Sequence, residues 1–398
     1  MQPISLGLPG QHAWHLDALP PLSLYVHFPW CVRKCPYCDF NSHDMRGGFD
    51  EVRYVDALIR DIELALPSIW GRRVTSIFMG GGTPSLFSAA QIGRFLDAVH
   101  ARLKMDPNAE ITLEANPGTA EADKFRDFRA AGVNRLSIGV QSFDPQFLSA
   151  LGRIHGREEA QTAARLAAEH FETFNLDLMY ALPSQSVAQA LADVEMALSF
   201  GPTHLSAYHL TIEPNTYFAV NVPQNLPDDD VSADMQEAIE ARLAEAGFLH
   251  YETSAFALPN HYSRHNLNYW MFGDYLGVGA GAHSKLSFHD HIRREMREKQ
   301  PAAYLAAVEA SSPVAVQSAI RQEALPFEFM MNALRLTDGF EPALFAERTG
   351  LPLASVLKEL NEAERRGLLL RSVHRIQPSI QGQRFLNDLL TLFLRDEA

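Results

Sequence analysis

From residue 54 onward the chain repeats one unit, a helix-like amphipathic stretch followed by a short apolar strand, at intervals of roughly thirty residues, the length of one βα step. The helical stretches are 54–66, 88–104, 119–131, 157–170 and 186–200, and the strands are 75–79, 111–114, 135–140, 175–179 and 204–208. An earlier alternating run, 23–28, makes a sixth strand and stops at Pro29, which cannot donate to a sheet ladder. Strands that alternate with helices form a parallel sheet, and right-handed βαβ steps curl six of them toward a barrel. The expected fold class is α/β, a partial (β/α)6 TIM-like barrel over 21–215. A tail, 1–20, precedes it, a linking and barrel-covering region follows over 216–312, and a small, mainly helical C-terminal domain fills 313–398.

In such barrels the site is built at the C-terminal ends of the strands from several loops at once. Those ends carry Gly80-Gly81-Gly82-Thr83-Pro84, Asn116-Pro117-Gly118, Gln141-Ser142 and Ala181-Leu182-Pro183. The glycine run lacks the Gly-Lys-Ser/Thr of a phosphate-binding loop, so it reads as a tight turn or as an edge where a small ligand lies against backbone. Glu114, Gln141, Arg153 and Asp177 stand at or just beyond strand ends. Each alone is an ordinary loop-end residue. Together they suit a zwitterionic, ribose-bearing ligand, with carboxylates accepting from an ammonium or from hydroxyls and the arginine pairing with a carboxylate.

All three cysteines of the 398 residues, Cys31, Cys35 and Cys38, fall on the loop after the first strand. Three thiolates on one loop can ligate three irons of a cubane [4Fe–4S] cluster and leave the fourth iron open to a small molecule. A tetrahedral zinc site completed by His27 or His43 and a Cys-x-x-Cys redox pair are the competing readings. A disulfide framework leaves one cysteine over.

The net charge of −14 argues against a nucleic-acid partner, and the 46% hydrophobic content fits a soluble globular protein. No apolar run reaches the roughly 18–20 residues of a membrane span, no signal pattern opens the chain, and a reducing cytoplasm is the expected compartment. Past residue 214 the pattern loosens. Pro223, Pro227 and Asp228-Asp229-Asp230 read as a linker, 233–246 as a further helix, and Gly277-Val278-Gly279-Ala280-Gly281 as close backbone packing rather than a dinucleotide loop. Helices at 325–336, 342–349, 353–366 and 383–394 and a hairpin at 368–377 end the chain. Among sixteen histidines, His265 stands out because Tyr269 and Trp270 follow it. A flat histidine and aromatic patch there can hold a porphyrin, and a packed core histidine is the plainer reading.

The Cys-x-x-x-Cys-x-x-Cys motif after a first barrel strand, with the Gly-Gly-Gly-Thr-Pro loop, resembles the radical S-adenosylmethionine family. Tyr25 to Cys31, Gly80 to Pro84, Gly139 to Ser142 and Asp177 to Pro183 are similar to its oxygen-independent coproporphyrinogen III oxidase group, over about residue 22 to the C-terminus. In that group the oxidases follow the third cysteine with Gly-Cys and carry a longer N-terminal extension. Here Asp39-Phe40 follows Cys38, and the run from His265 to Trp270 with Gly273 to Gly279 resembles the HemW branch of heme chaperones. The resemblance implies that Cys31, Cys35 and Cys38 hold a [4Fe–4S] cluster and that Tyr25, Tyr37, Gly81 and Glu114 line S-adenosylmethionine. Gly82, Thr83, Gln141, Arg153, Asp177 and Thr211 match a second S-adenosylmethionine site of the oxidase branch. It further implies heme as cargo with His265 as candidate ligand, an electron donor, an acceptor haemoprotein that is respiratory or membrane-associated, and room for a homodimer. The alternative it leaves is radical oxidative decarboxylation of a porphyrinogen.

Overall fold

The computed structural model of the chain describes residues 14–45, 47–118 and 124–394. Six parallel strands, β1 (Leu22–Phe28), β2 (Arg73–Gly81), β3 (Lys104–Ala115), β4 (Arg135–Gln141), β5 (Thr173–Tyr180) and β6 (His204–His209), lie side by side in chain order. That is the expected partial barrel. Their segments are almost continuously buried, because helices cover one face and the barrel interior encloses the other.

The helices between them are α1 (Glu51–Ile69), α2 (Ala89–Arg102), α3 (Phe125–Ala130), α4 (Pro145–Ala150), α5 (Arg157–His170) and α6 (Val187–Leu198). Side-chain caps fix several starts: Asp50 accepts from the amide of Arg53, Ser88 from Gln91 and Ser186 from Gln189. Residues 119–123 of the helix expected at 119–131 lie outside the described residues. The triple aspartate read as a linker is instead a helix start. Asp228 caps α7 (Asp229–Glu245) by accepting from the amide of Val231, and Asp229 and Asp230 occupy its first turn, where the helix dipole favours negative charge.

The sheet continues beyond the six strands on both sides to a total of 12. The antiparallel pair β7 (Leu249–Glu252) and β8 (Ala255–Ala257) extends it past β6. After helix α8 (Arg264–Trp270), β9 (Asp274–Val278) pairs parallel to the free side of β1. Strands β10 (His283–Ser287), β11 (Ile292–Arg297) and β12 (Val314–Ala319) follow antiparallel, with helix α9 (Pro301–Glu309) between the last two. The glycine cluster is close backbone packing, as expected. A side chain at Gly277 would collide with the His283 backbone, and Gly279 and Gly281 have φ of +101° and +80°.

A second apolar core gathers Phe329, Phe345, Leu360 and Leu389 from the C-terminal helices and Phe340 from the segment between two of them. The expected helix at 383–394 is divided into Ile380–Arg384 and Leu386–Thr391. Leu16 joins this core, and the indole of Trp14 donates to the Thr349 carbonyl at 2.7 Å, so the described part of the tail lies on the body. Among the described residues no helix is long and apolar enough to cross a membrane.

One buried charge network fastens the added strands to the barrel. The Arg297 guanidinium donates to Asp61 on α1 at 3.1 Å and to Glu295 at 2.8 Å, and Asp61 also accepts from the Tyr304 hydroxyl at 3.1 Å. Both Asp61 and Tyr304 are 0% exposed. Removing Asp61 leaves Arg297 with Glu295 alone and the Tyr304 hydroxyl without its acceptor, at a cost of about 3 kcal/mol, the low end for breaking a buried pair. Asp61→Ala is therefore expected to lose about that much stability in urea denaturation. A loss below about 1 kcal/mol, the range of an exposed pair, would contradict the role given to the network.

Candidate functional site

The cysteine loop is pinned at both ends. Trp30–Cys31 pairs with His43–Asp44, and the amides of His43 and Met45 donate to the carbonyls of Pro29 and Cys31 at 2.7 and 2.8 Å. Between those ends the Lys34 amide donates to Asp44 at 2.8 Å and the Lys34 ammonium to the Phe40 carbonyl at 2.9 Å. His27 is a strut beneath the loop. One ring nitrogen bonds the Asn41 carbonyl at 2.9 Å and the other the Tyr25 hydroxyl at 3.0 Å, and burial holds its pKa down to about 4. With both nitrogens engaged, His27 is not placed as a fourth metal ligand.

Each sulfur has a polar neighbour from the cavity wall or its own loop. Thr83 lies 3.5 Å from Cys31, an Arg153 nitrogen 3.4 Å from Cys35, and the Ser42 hydroxyl 3.8 Å from Cys38. Burial pushes the Cys31 thiol up to about 11, so it waits protonated and would lose its proton to a metal. Among the described residues no three His, Cys, Asp or Glu side chains converge on one ion. Three thiols on one loop, each able to take a different iron, are the donor set that a cubane uses.

The three cysteines and eight further candidates, Tyr37, Gly81, Gly82, Thr83, Glu114, Gln141, Arg153 and Asp177, line one cavity of about 1010 Å³. Glycine is required at its edge: Gly81 has φ +107°, and a side chain there would run into the His27 ring. Arg153 also donates to Asn116 at 2.7 Å and to the Gly139 carbonyl at 2.6 Å, which joins the cysteine loop to the ends of β3 and β4. Glu114 accepts from the Gly81 amide at 3.1 Å, yet burial and the nearby charge of Asp177 raise its pKa to about 8. Burial raises Asp177 as well, against hydrogen bonds from Asn175 at 2.8 Å and Ser137 at 3.3 Å. Two carboxylates held this way call for a cationic or hydroxyl-bearing ligand.

A second cavity of about 840 Å³ shares Tyr37, Cys38, Phe40, Glu114, Gln141 and Asp177 with the first and runs to Arg135, His204 and Asn266.

Three candidates stand apart. Tyr25 lies behind the wall, its hydroxyl on His27 and its ring stacked on Phe78. Thr211 is exposed after β6, and its hydroxyl turns to the His209 carbonyl at 3.3 Å. His265 is 1% exposed, stacked on Phe78 and edge-on to Tyr269, with Nδ1 bonded to Ser76 at 3.0 Å. Burial holds its pKa down to about 3, so the ring is neutral. The expected flat patch is thus corrected to an enclosed histidine, although Nε2 has no hydrogen-bond partner. Asn116 is a site residue that motif reading passed over. It donates to Thr83 at 2.8 Å while accepting from Arg153, and its signal was its position directly after β3.

Comparison with known proteins agrees with this geometry. The model of the radical SAM superfamily matches residues 25–197, and that of the HemN C-terminal domain residues 320–385. The chain is 48% identical over 380 residues to the heme chaperone HemW of Escherichia coli (strain K12), covering 95% of this chain and 99% of that protein. It is 45% identical over 388 residues to the heme chaperone HemW of Haemophilus influenzae, covering 96% and 100%. The solved structure of coproporphyrinogen III oxidase (HemN) from Escherichia coli, a radical SAM enzyme, aligns over 94% of this chain and 90% of that one, with a TM-score of 0.79 at 24% identity. That likeness is one of fold.

The raised pKa of Glu114 has a consequence for stability. The folded state holds this proton more tightly than the unfolded chain, so the stability it contributes is present below about 4.5 and is lost as pH rises through about 8. In cluster-free protein, the stability advantage of Glu114→Gln over wild type is expected to grow between pH 5 and pH 8 and then level off in urea denaturation. A difference that stays flat over this range would contradict the assigned environment.

Proposed function

Because the chain belongs to the HemW family of radical SAM proteins, we propose that it is a heme chaperone, carrying a [4Fe–4S] cluster and S-adenosylmethionine beside its heme cargo. The observation that carries this reading is the pair of cavities, one at the three cysteines and one lined by Asn266, that share Glu114, Gln141 and Asp177. Cys31, Cys35 and Cys38 would hold the cluster, which when bound supplies an iron open to the methionyl amine and carboxylate of S-adenosylmethionine. Gly81 and Glu114 offer a backbone edge and an acceptor to the methionyl end, with Tyr25 behind them and Tyr37 beside them. Gln141, Arg153 and Asp177 continue the wall, and Gly82 and Thr83 shape its rim. In this reading they serve one S-adenosylmethionine, and Thr211 serves none.

Heme occupies the second cavity. The unpaired Nε2 of His265, next in sequence to the cavity-lining Asn266, is the nitrogen we assign to its iron, reached when the Phe78 ring turns aside. An apo-haemoprotein of the respiratory chain then receives the heme, an electron donor serves the cluster, and the compartment is the cytoplasm. Porphyrinogen decarboxylation is the disfavoured alternative, since Asp39-Phe40 stands where the oxidases have Gly-Cys.

Heme titrated into cluster-reconstituted protein is expected to give a saturable Soret change at about one heme per chain, weakened by His265→Ala, by about tenfold or more for loss of an iron ligand. The same protein with S-adenosylmethionine, reductant and coproporphyrinogen III is expected to yield no decarboxylated product by mass spectrometry. A linear, unsaturated heme response, or product formation, would overturn the reading, and unchanged affinity in His265→Ala would remove that residue as the ligand.

A further inference from the structure

The second cavity is lined by a buried arginine with an unused donor. Arg135, the first residue of β4, points into the barrel with only 3% of its surface exposed and lines the cavity with Asn175, His204, Ser206 and Asn266. Its Nε has no hydrogen-bond partner among the described residues. The carboxylate of Glu110 is its ion-pair partner at 4.0 Å, beyond hydrogen-bond reach, and accepts from the amides of Arg264 and His265, both at 3.1 Å, at the start of α8. Asp177, the other acid on this wall, accepts from Asn175 and Ser137. Directly across the strand pairing, the buried hydroxyl of Thr112 is also without a partner.

Glu110 balances the charge through space without a hydrogen bond to Nε, and an arginine's planar fork matches a carboxylate in two parallel hydrogen bonds. The neighbouring His204 adds no negative charge, since Nδ1 bonds Asn175 and Nε2 bonds the Tyr251 hydroxyl, each at 2.7 Å. The cavity extends from Tyr37 to Phe40 of the cysteine loop to Arg135, so a ligand lying along it brings one end to this arginine. Heme carries carboxylates on its propionate arms. Resting on the heme reading above, we propose that Arg135 is a cargo-binding residue that receives one propionate carboxylate of the heme, so that the cavity selects a tetrapyrrole with free propionates.

The proposal is tested by titrating iron protoporphyrin IX and its dimethyl ester separately into the cluster-reconstituted protein, because the ester keeps the ring and iron and lacks the carboxylates. Wild type is expected to prefer the free acid by about tenfold or more, the range of a charge-assisted hydrogen bond. Arg135→Gln is expected to lower affinity for the acid to the level of the ester and leave the ester unchanged, with Arg135→Lys between. Equal binding of acid and ester by wild type overturns the proposal without needing any variant to fold. A preference that survives in folded Arg135→Gln overturns it as well, while heme chaperoning would stand. If wild type binds neither compound, the heme reading itself fails and this proposal falls with it.

Discussion

The arrangement depends on how tightly the cysteine loop is pressed against the glycine edge of β2. The amide of Gly82 donates to the Phe28 carbonyl at 2.7 Å and that of Thr83 to the Trp30 carbonyl at 2.8 Å, so backbone meets backbone where any side chain would intervene. Everything above this contact follows from it. Thr83 comes within reach of Cys31, His27 fits under Gly81, and Arg153 can bridge from Cys35 to the ends of β3 and β4. Three thiols, two carboxylates and an arginine drawn from distant parts of the chain then face one hollow.

The two cavities differ in charge. Arg153 lines the first cavity with the thiols, Glu114 and Asp177 line both, and Arg135 lines the second. Burial keeps the carboxylates poised to take protons, whereas an arginine cannot shed its charge. The shared wall therefore adapts to what enters, and Arg135 offers its donor to an anion.

The six barrel strands could be read from the chain because short, mainly apolar runs alternate with amphipathic helical stretches, as Leu22 to Phe28 does before α1. Strands β10 and β11 could not. His283-Ser284-Lys285-Leu286-Ser287 and Ile292 to Arg297 look like surface segments, and only the fold shows Lys285 neutralised by Asp274 at 3.0 Å and Arg297 by Asp61. The triple aspartate misled for a related reason, since acidic residues suit both a solvated linker and the first turn of a helix. At the site, the cysteines, glycines and strand-end carboxylates were legible because their chemistry forces residue type and spacing. Arg135 was not, although Arg135, Ser137, Gly139 and Gln141 alternate on one side of β4. An arginine at a strand start looks like a solvated end until the barrel closes around it.

The central claim is that heme is handed on rather than merely held. It is tested most directly by mixing heme-loaded, cluster-reconstituted protein with a respiratory b-type apocytochrome in stopped flow and following the Soret band at increasing acceptor concentration. Delivery predicts a transfer rate that rises with acceptor concentration, above the rate at which heme leaves the protein unaided. A rate that equals spontaneous loss at every acceptor concentration would contradict it.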